Sequence, residues 1–227
     1  LPVLKVLNQK EVEVYLLKNH LLVPMKVSMQ SKNDQEFIKN YLQYVTGQKQ
    51  LKNANSFDCD DLRLQDVSMK EGCLTLQFNS ALFHLKENEE LLFLQSIIKM
   101  AQQIDTIEQL KIKVNQQQLQ QLRYGTIIPT SLKNYQGINS FVCEDAYLHN
   151  SDSLIVYRLL QEQGKCYYVP MELRIPAQLT MKEKLQYIVS ASMYHNGLKS
   201  PFKKNDMIEC TDTTINLKMK KLQADAK

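Results

Sequence analysis

The chain has 227 residues, 44% of them apolar, which is enough for two ordinary domains with buried cores. No apolar run approaches the roughly eighteen residues of a membrane-spanning helix. The net charge of +4 comes from scattered lysines rather than from a basic stripe interleaved with aromatics, which argues against nucleic-acid binding.

The five cysteines are an odd number and contain no Cys-x-x-Cys spacing. This usage predicts neither a disulfide framework nor a zinc site. The chain begins at Leu1 rather than at Met, so we expect an N-terminal leader to be missing. Any membrane attachment would then depend on that missing N-terminal anchor.

The sequence contains the pattern of a strand pair twice, first from Glu11 to Met29 and again from Ser153 to Ile175. In both copies apolar residues alternate with other residues, which predicts a hairpin with one buried face. A Tyr and a pair of leucines end both first strands, and Val-Pro-Met lies inside both second strands. The repeat predicts two related modules.

Proline cannot donate a hydrogen bond to a strand ladder, so Pro24 and Pro170 predict edge strands or bulges. Tyr15 and Tyr157 occupy equivalent positions in the two first strands. One interpretation is that these tyrosines are simply packed, with their hydroxyls at the surface. The other makes Tyr15, Pro24, Tyr157 and Pro170 the candidate interface residues.

The rest of the first module follows in order. Capping residues at 31–34 and a stop at Gly47 predict a helix, and a strand pair follows with a bulge near Gln65-Asp66. A second helix begins near Glu87, and a last strand covers 110–114. The predicted fold is α+β, with the order ββαββαβ and helices packed on a mostly antiparallel sheet.

The predicted domains are residues 1–118 and 152–227, with 119–151 as a connector packed through Ile127, Ile128, Ile138 and Phe141. The second module repeats the hairpin and then a helix from Met181 to Met193. In that helix Leu185, Ile188 and Val189 are expected to correspond to Tyr41, Tyr44 and Val45. One more strand is predicted at 214–219. Nothing corresponds to residues 87–114, so the second copy is expected to be incomplete. Either the sequence is truncated, or another chain completes the sheet.

The strand pair 64–78, the helix 90–100 and the strand 107–114 carry a resemblance to a known family. Their pattern is Leu64-x-Asp66-Val67-x-Met69-x-x-Gly72-x-Leu74-x-Leu76-x-Phe78, followed by Ile107-x-x-Leu110-x-Ile112-x-Val114. This pattern resembles the GerM domain of sporulation and spore-germination proteins, here in two tandem copies. The chain departs from that family in lacking a lipobox, in its short second copy and in its cysteine count.

The resemblance implies a non-catalytic structural or protein-interaction protein of a sporulation or spore-germination envelope complex. It implies an extracytoplasmic lipoprotein of a Gram-positive, spore-forming bacterium, whose partners are other envelope or sporulation proteins. Self-association into rings is a further implication. The alternative is an extracytoplasmic binding module for a cell-wall glycan or a small ligand, with the connector cleft as its site.

The chain offers little catalytic chemistry. Asp58-Cys59-Asp60-Asp61 is interpreted as a solvated acidic loop, because it lacks a neighbouring His and the glycine of a calcium loop. Cys73 and Cys166 are expected to be buried in strands. We predict no catalytic, cofactor-binding or metal residues. An enzyme would require convergence of the acidic loop with the four histidines, His20, His84, His149 and His195.

Overall fold

The structure, a computed structural model, describes residues 9–57, 59, 61–133, 135–142, 150–190, 197–202, 207–210 and 215–218. The chain divides into two compact units, Leu1–Tyr135 and Gln136–Lys227. This division falls inside the segment 119–151, and the boundaries at 118 and 151 stay predictions. Within the described residues, no helix has both the length and the apolar character needed to cross a membrane.

The first unit begins with a hairpin of β1 (Gln9–Lys18) and β2 (Leu21–Gln30). The strands pair antiparallel without a register shift, around a turn in which Asn19 and His20 have positive φ. Such two-residue turns match the right-handed twist of strands. Among the described strands β2 pairs only with β1, so Pro24 lies on an edge strand.

The helix α1 (Asp34–Val45) begins after Asn33, whose side chain accepts the backbone N–H of Glu36. Glu36 in turn accepts the N–H of Lys32 at 2.7 Å, a reciprocal arrangement close to a capping box. Gly47 ends the segment with a φ of +77°, a conformation that favours glycine. The predicted helix and its stop are confirmed.

A four-stranded sheet follows, in the spatial order β3 (Leu64–Lys70), β4 (Cys73–Phe78), β5 (Gln109–Val114) and β6 (Gln117–Leu119). The register of β3 against β4 shifts between Leu64 and Asp66, which confirms the predicted bulge. β4 and β5 are parallel, and the other neighbouring pairs are antiparallel. β6 was not predicted, because a short, polar strand carries no hydrophobic alternation.

The crossover between β4 and β5 contains α2 (Glu87–Ala101). Every residue of α2 from Phe93 to Ile98 is buried, so the helix is covered on all sides at its centre. Phe93 makes edge-to-face contacts with Phe57 and Phe78, with ring centroids 5.4 and 5.9 Å apart. α2 is therefore the centre of the first unit's core.

The start of the predicted connector folds back onto the first unit. The buried carboxylate of Glu90 accepts the backbone N–H groups of Tyr124, at 2.9 Å, and Thr126, at 3.2 Å. Ile128 is buried as expected, but Ile127 is 75% exposed, so its predicted packing role is wrong within the described residues. Adjacent residues in an extended segment point to opposite sides, which explains the difference.

The second unit contains β7 (Phe141–Val142), β8 (Ser151–Glu162), β9 (Lys165–Pro176) and α3 (Met181–Ser190). β10 (Leu198–Lys199) joins the same sheet, whose order is β10-β8-β9-β7. β11 (Met207–Cys210) and β12 (Ile215–Lys218) form a separate antiparallel pair. In the described part of this unit there is no counterpart of α2 or β5.

The two units share the hairpin and the capped helix that follows it. α3 begins after Thr180, whose hydroxyl accepts the N–H of Glu183 while the Glu183 carboxylate accepts the N–H of Thr180. Counted from the two caps, Ile188 of α3 corresponds to Tyr41 of α1. The predicted match of Ile188 to Tyr44 was therefore wrong by one turn. The α+β class with two related modules is confirmed.

Candidate interaction surface

The four candidate interface residues form two equivalent pairs. Tyr15 lies opposite Pro24 in the first hairpin, and Tyr157 lies opposite Pro170 in the second. Both hairpins keep an unbroken register at these pairs, so neither proline causes a bulge. The structure thus places each tyrosine beside one proline, and whether these pairs form an interface stays a prediction.

Both prolines are tolerated because their nitrogens face away from the partner strand. The backbone N–H of Tyr15 donates outward to the hydroxyl of Tyr41, so the Tyr15–Pro24 pair is one without ladder bonds. In the second hairpin the carbonyl of Pro170 accepts from Asn139 Nδ2, outside the β8–β9 ladder. No ladder hydrogen bond is lost at either proline.

The outer edge of β1 is closed by other elements. Gln103 donates to the carbonyl of Glu13 at 2.8 Å and accepts its N–H at 3.2 Å. Ser96 donates to the carbonyl of Tyr15 at 2.8 Å, and Tyr41 accepts its N–H at 2.9 Å. Leu17 exchanges two backbone hydrogen bonds of 2.9 Å with Asn55. Three successive outward residues are thus satisfied.

Tyr41 is the centre of this closure. Its hydroxyl also lies 3.2 Å from the carbonyl and 3.3 Å from the Oγ of Ser96. Both side chains are fully buried. Burial raises the pKa of Tyr41 well above its ordinary range, and its hydrogen bond with Ser96 only partly opposes that rise. The hydroxyl therefore stays protonated and keeps α1, α2 and β1 together.

The equivalent edge of β8 is different. Leu159 pairs with Lys199 of β10, as Leu17 pairs with Asn55. The outward N–H and C=O groups of Ile155 and Tyr157 have no hydrogen-bond partner within the residues that the structure describes. They correspond to Glu13 and Tyr15, whose groups are all satisfied.

The second hairpin also exposes aromatic surface. Tyr157 is 54% exposed and Tyr168 is 63% exposed, on one face of the sheet because Tyr168 lies opposite Leu159. The counterpart of Tyr168 in the first hairpin is Leu22, which is 0% exposed. We call Tyr157 and Tyr168 the tyrosine face. Cys166, on the same face, is exposed, so its predicted burial is wrong, whereas Cys73 is half-buried.

A second apolar patch, which the sequence did not predict, lies in the first unit. Leu91, Tyr124 and Ile127 are all large and exposed. Glu90 holds the backbone of Tyr124 and Thr126 beside the first turns of α2, where Leu91 also lies. We call Leu91, Tyr124 and Ile127 the α2 patch.

The second unit buries an unexpected positive charge. Arg158 is fully buried where the first hairpin has Leu16, and it donates to the carbonyl of Ile188 at 2.9 Å. Burial lowers the pKa of its guanidinium from the ordinary value. Arg158 ties β8 to α3, the role that Tyr41 has between α1 and β1.

The residues considered for catalysis do not form a described site. Cys59 of the predicted acidic loop is buried, with its Sγ 3.0 Å from the carbonyl oxygen of Ala81. Asp61 is exposed as predicted, and Asp58 and Asp60 lie outside the described residues. His20 and His84 are exposed, and His149 and His195 lie outside the described residues. Among the described side chains, no group of three or more His, Cys, Asp or Glu is placed to hold a metal.

Sequence reasoning missed the roles of Ser96 and Gln103. A signal was present, because Ser96 lies on the apolar stripe of α2, three residues after Phe93 and four before Met100. A polar residue at the centre of a buried stripe needs a hydrogen-bond partner. The partner strand itself could not be read from the sequence.

Comparisons with known proteins agree with this geometry. Residues 13–120 match the family model Germane, described as sporulation and spore germination. The chain is 28% identical over 107 residues to the spore germination protein GerM of Bacillus subtilis (strain 168). That alignment covers 47% of this chain and 29% of GerM, so it spans less than a third of that relative.

The structural comparison extends over both units. The fold matches the tandem GerMN domains of the sporulation protein GerM from Bacillus subtilis, with a TM-score of 0.75 and 20% identity. The match covers 92% of this chain and 78% of that chain. The GerM resemblance is confirmed: the first unit is a domain of the Germane family of sporulation and spore germination, and the chain has the tandem GerMN fold.

Proposed function

We propose that this protein is a non-catalytic structural or protein-interaction component of a sporulation or spore-germination envelope complex. The observation that carries the proposal is the tandem GerMN fold over 92% of the chain. The relative in Bacillus subtilis is named for spore germination. The protein would act outside the cytoplasmic membrane of a Gram-positive spore former, held by a lipoprotein anchor.

Two exposed apolar surfaces support an interaction role. The tyrosine face lies on the second unit and the α2 patch on the first. Tyrosine is enriched at protein interfaces because it buries a large ring while keeping a polar tip. Two different surfaces on one chain allow head-to-tail contacts, which close into rings when the rotation between neighbours permits.

The decisive experiment is an affinity pull-down of the tagged protein from envelopes of the source cells, compared between growth and starvation. We expect envelope proteins to be enriched only under starvation. The double variant Tyr157→Ser/Tyr168→Ser should lose that enrichment, and Tyr44→Phe, in the half-buried part of α1, should keep it. Equal capture in both states would overturn the sporulation role.

Self-association has its own test. We expect the molar mass by light scattering to rise with protein concentration, and Ile127→Asp to abolish the rise because it places a charge in the α2 patch. A strict monomer at every concentration, alone and with captured partners, would remove the ring model.

A second candidate function is binding of a cell-wall glycan or a small ligand. One polar groove of about 460 Å³ lies near the first hairpin's turn, with Asn19, His20, Lys86 and Glu89 among its lining residues. Sugar hydroxyls suit such donors and acceptors. Calorimetric titration with soluble peptidoglycan fragments tests it: binding that His20→Ala abolishes would favour this function, and no heat of binding would exclude it.

A further inference from the structure

The outer face of the four-stranded sheet in the first unit is used by neither of the functions considered above. We propose that this face binds a hydrophilic polymer with phosphodiester groups in its backbone, a polyol phosphate chain. One phosphate of that chain would lie in the groove over Cys73 and Thr75. The inference goes beyond the proposed function and does not rest on it.

The two faces of this sheet differ sharply in chemistry. Successive side chains of a strand point to opposite faces. On the inner face the ring of Phe78 contacts Phe93 of α2, with centroids 5.9 Å apart. The register of β3, β4 and β5 places a polar set on the outer face, including Ser68, Lys70, Cys73, Thr75, Lys111 and Lys113. All six are half-buried or exposed, and no aromatic or large apolar side chain lies among them.

Part of this face forms a groove of about 350 Å³ that is centred on β4. Lys70 of β3 lies opposite Cys73, and Lys111 of β5 lies beside Thr75, so the two lysines flank the central strand. Neighbouring strands are about 4.8 Å apart, which lets both long side chains reach an anion seated over β4. The groove is therefore built to place two positive charges on one anionic group.

The donors of the groove are not used elsewhere. Neither Lys70 nor Lys111 makes a hydrogen bond or an ion pair with any residue in the described part of the chain. The same holds for the hydroxyls of Ser68 and Thr75. Glu71, in the turn after β3, lines the end of the groove rather than its middle. Each ammonium group has three N–H donors, and its hydrogen bonds to a phosphate are charge-assisted.

The composition of the face selects among anionic partners. Protein interfaces are depleted in lysine and enriched in aromatic residues, and binding at a membrane surface requires apolar side chains to insert. Proteins that bind single-stranded nucleic acids stack the bases on aromatic side chains. The outward residues of β3, β4 and β5 provide neither aromatic nor large apolar groups. A hydrophilic polyanion without bases is the partner that fits.

A chain of phosphates fits better than a single phosphate. Lys113 follows Lys111 on the same face of β5, about 7 Å further along the strand. Like Lys111, it has no hydrogen bond or ion pair to the residues that the structure describes. A polymer that runs along β5 can therefore place successive phosphates on the two lysines. The amide of Gln77, beside Lys113, can bind the hydroxyl groups between them.

Binding is tested by calorimetric titration of the full chain with a short glycerol phosphate oligomer. We expect the affinity to fall as salt rises, with a slope of about 2 in a double-logarithmic plot, as for three lysine contacts to a flexible polyanion. Lys70→Gln/Lys111→Gln should weaken binding at least about tenfold, because charge-assisted hydrogen bonds are lost. The control Lys32→Gln/Lys39→Gln removes the same charge from exposed positions outside the groove and should keep the affinity of the parent protein.

Cys73 provides a measurement at the groove that needs no variant. The oligomer should slow alkylation of the Cys73 thiol by iodoacetamide, a neutral reagent, because the bound chain covers it. Alkylation of Cys166, which is exposed in the second unit, should not change. Mass spectrometry of the digested protein reads both thiols in one sample.

Several results would overturn the proposal. They are a lack of binding by the parent protein, an equal loss of affinity in the two double variants, or an unchanged alkylation rate at Cys73 with the oligomer bound. Equal affinity for an oligoglutamate of the same charge would show that any polyanion suffices. Binding to phosphatidylglycerol vesicles but not to the oligomer would make a lipid surface the partner instead. None of these outcomes changes the starvation-dependent pull-down, so the failures of the two proposals are distinguishable.

Discussion

The two hairpins share the same antiparallel strand pairing and differ in what covers their outer edge and one face. In the first, the outer edge of β1 is closed by Gln103, Ser96 and Tyr41, and Leu22 on the neighbouring strand is fully buried. In the second, the equivalent edge has open groups in the described structure, and Tyr168 replaces Leu22 and is 63% exposed. The same position of the strand pair thus belongs to the core in one unit and to the surface in the other.

The largest expected effect comes from weakening the core packing of α2, the helix that closes the first edge. Phe93→Ala should lower the free energy of unfolding of the first unit by about 3–5 kcal/mol, since a fully buried ring at the centre of α2 leaves a cavity. Urea unfolding measures this. Leu91→Ala, on the exposed side of α2, is the matched control, and a similar loss there would contradict the central role of Phe93.

The next effect concerns the loop held by α2. Glu90→Gln should lower the free energy of unfolding of the first unit by about 1.5–3 kcal/mol. The buried carboxylate accepts the N–H groups of Tyr124 and Thr126, and a neutral amide accepts them more weakly. Faster amide exchange at these two residues should accompany the loss. Glu87→Gln, at an exposed position of the same turn, should change stability by less than about 0.5 kcal/mol.

Tyr41→Phe sharpens the comparison, since it gives the first unit the hydroxyl-free arrangement of the second. We expect the free energy of unfolding of the first unit to fall by about 1–2 kcal/mol and the amide of Tyr15 to exchange faster. Tyr44→Phe is the matched control on the same helix.

The same residue predicts a pH dependence. Burial raises the pKa of Tyr41 above its ordinary value of 10.0, so the folded state disfavours the tyrosinate. The stabilisation that the neutral Tyr41 hydroxyl contributes is therefore fully present below about pH 10, and it falls as the pH rises beyond that value. Denaturant midpoints measured between pH 9 and 11 should show this fall in the parent protein and a shallower one in Tyr41→Phe.

The smallest effect tests a feature that the units share. Asn33→Ala and Thr180→Ala should each cost about 1 kcal/mol, because each removes the side-chain acceptor at the start of its helix. Thermal unfolding of the two variants should show similar shifts. Strongly unequal shifts would show that the helices depend on their caps to different degrees.

The sequence predicted what is determined locally. The hairpin alternation, the caps of α1 and the slip between Leu64 and Val67 all depend on residues close together in the chain, and these predictions are confirmed. The burial of Cys59 and the exposure of Cys166 depend on distant segments; the first was not predicted and the second was predicted wrongly. The hydroxyl and amide bonds that close β1 join residues up to 90 positions apart, beyond the reach of any periodic pattern.

The hydrogen bonds that Glu90 accepts from Tyr124 and Thr126 also determine where a fragment containing the first unit can end. A fragment that ends at residue 118 would leave this carboxylate without Tyr124 and Thr126, and would remove Leu132, whose N–H donates to the carbonyl of Glu108 at 2.8 Å. A buried acceptor left without its donors is costly. The shortest self-sufficient fragment of this unit therefore extends to Leu132, and a protease trimming the native protein should stop beyond that residue.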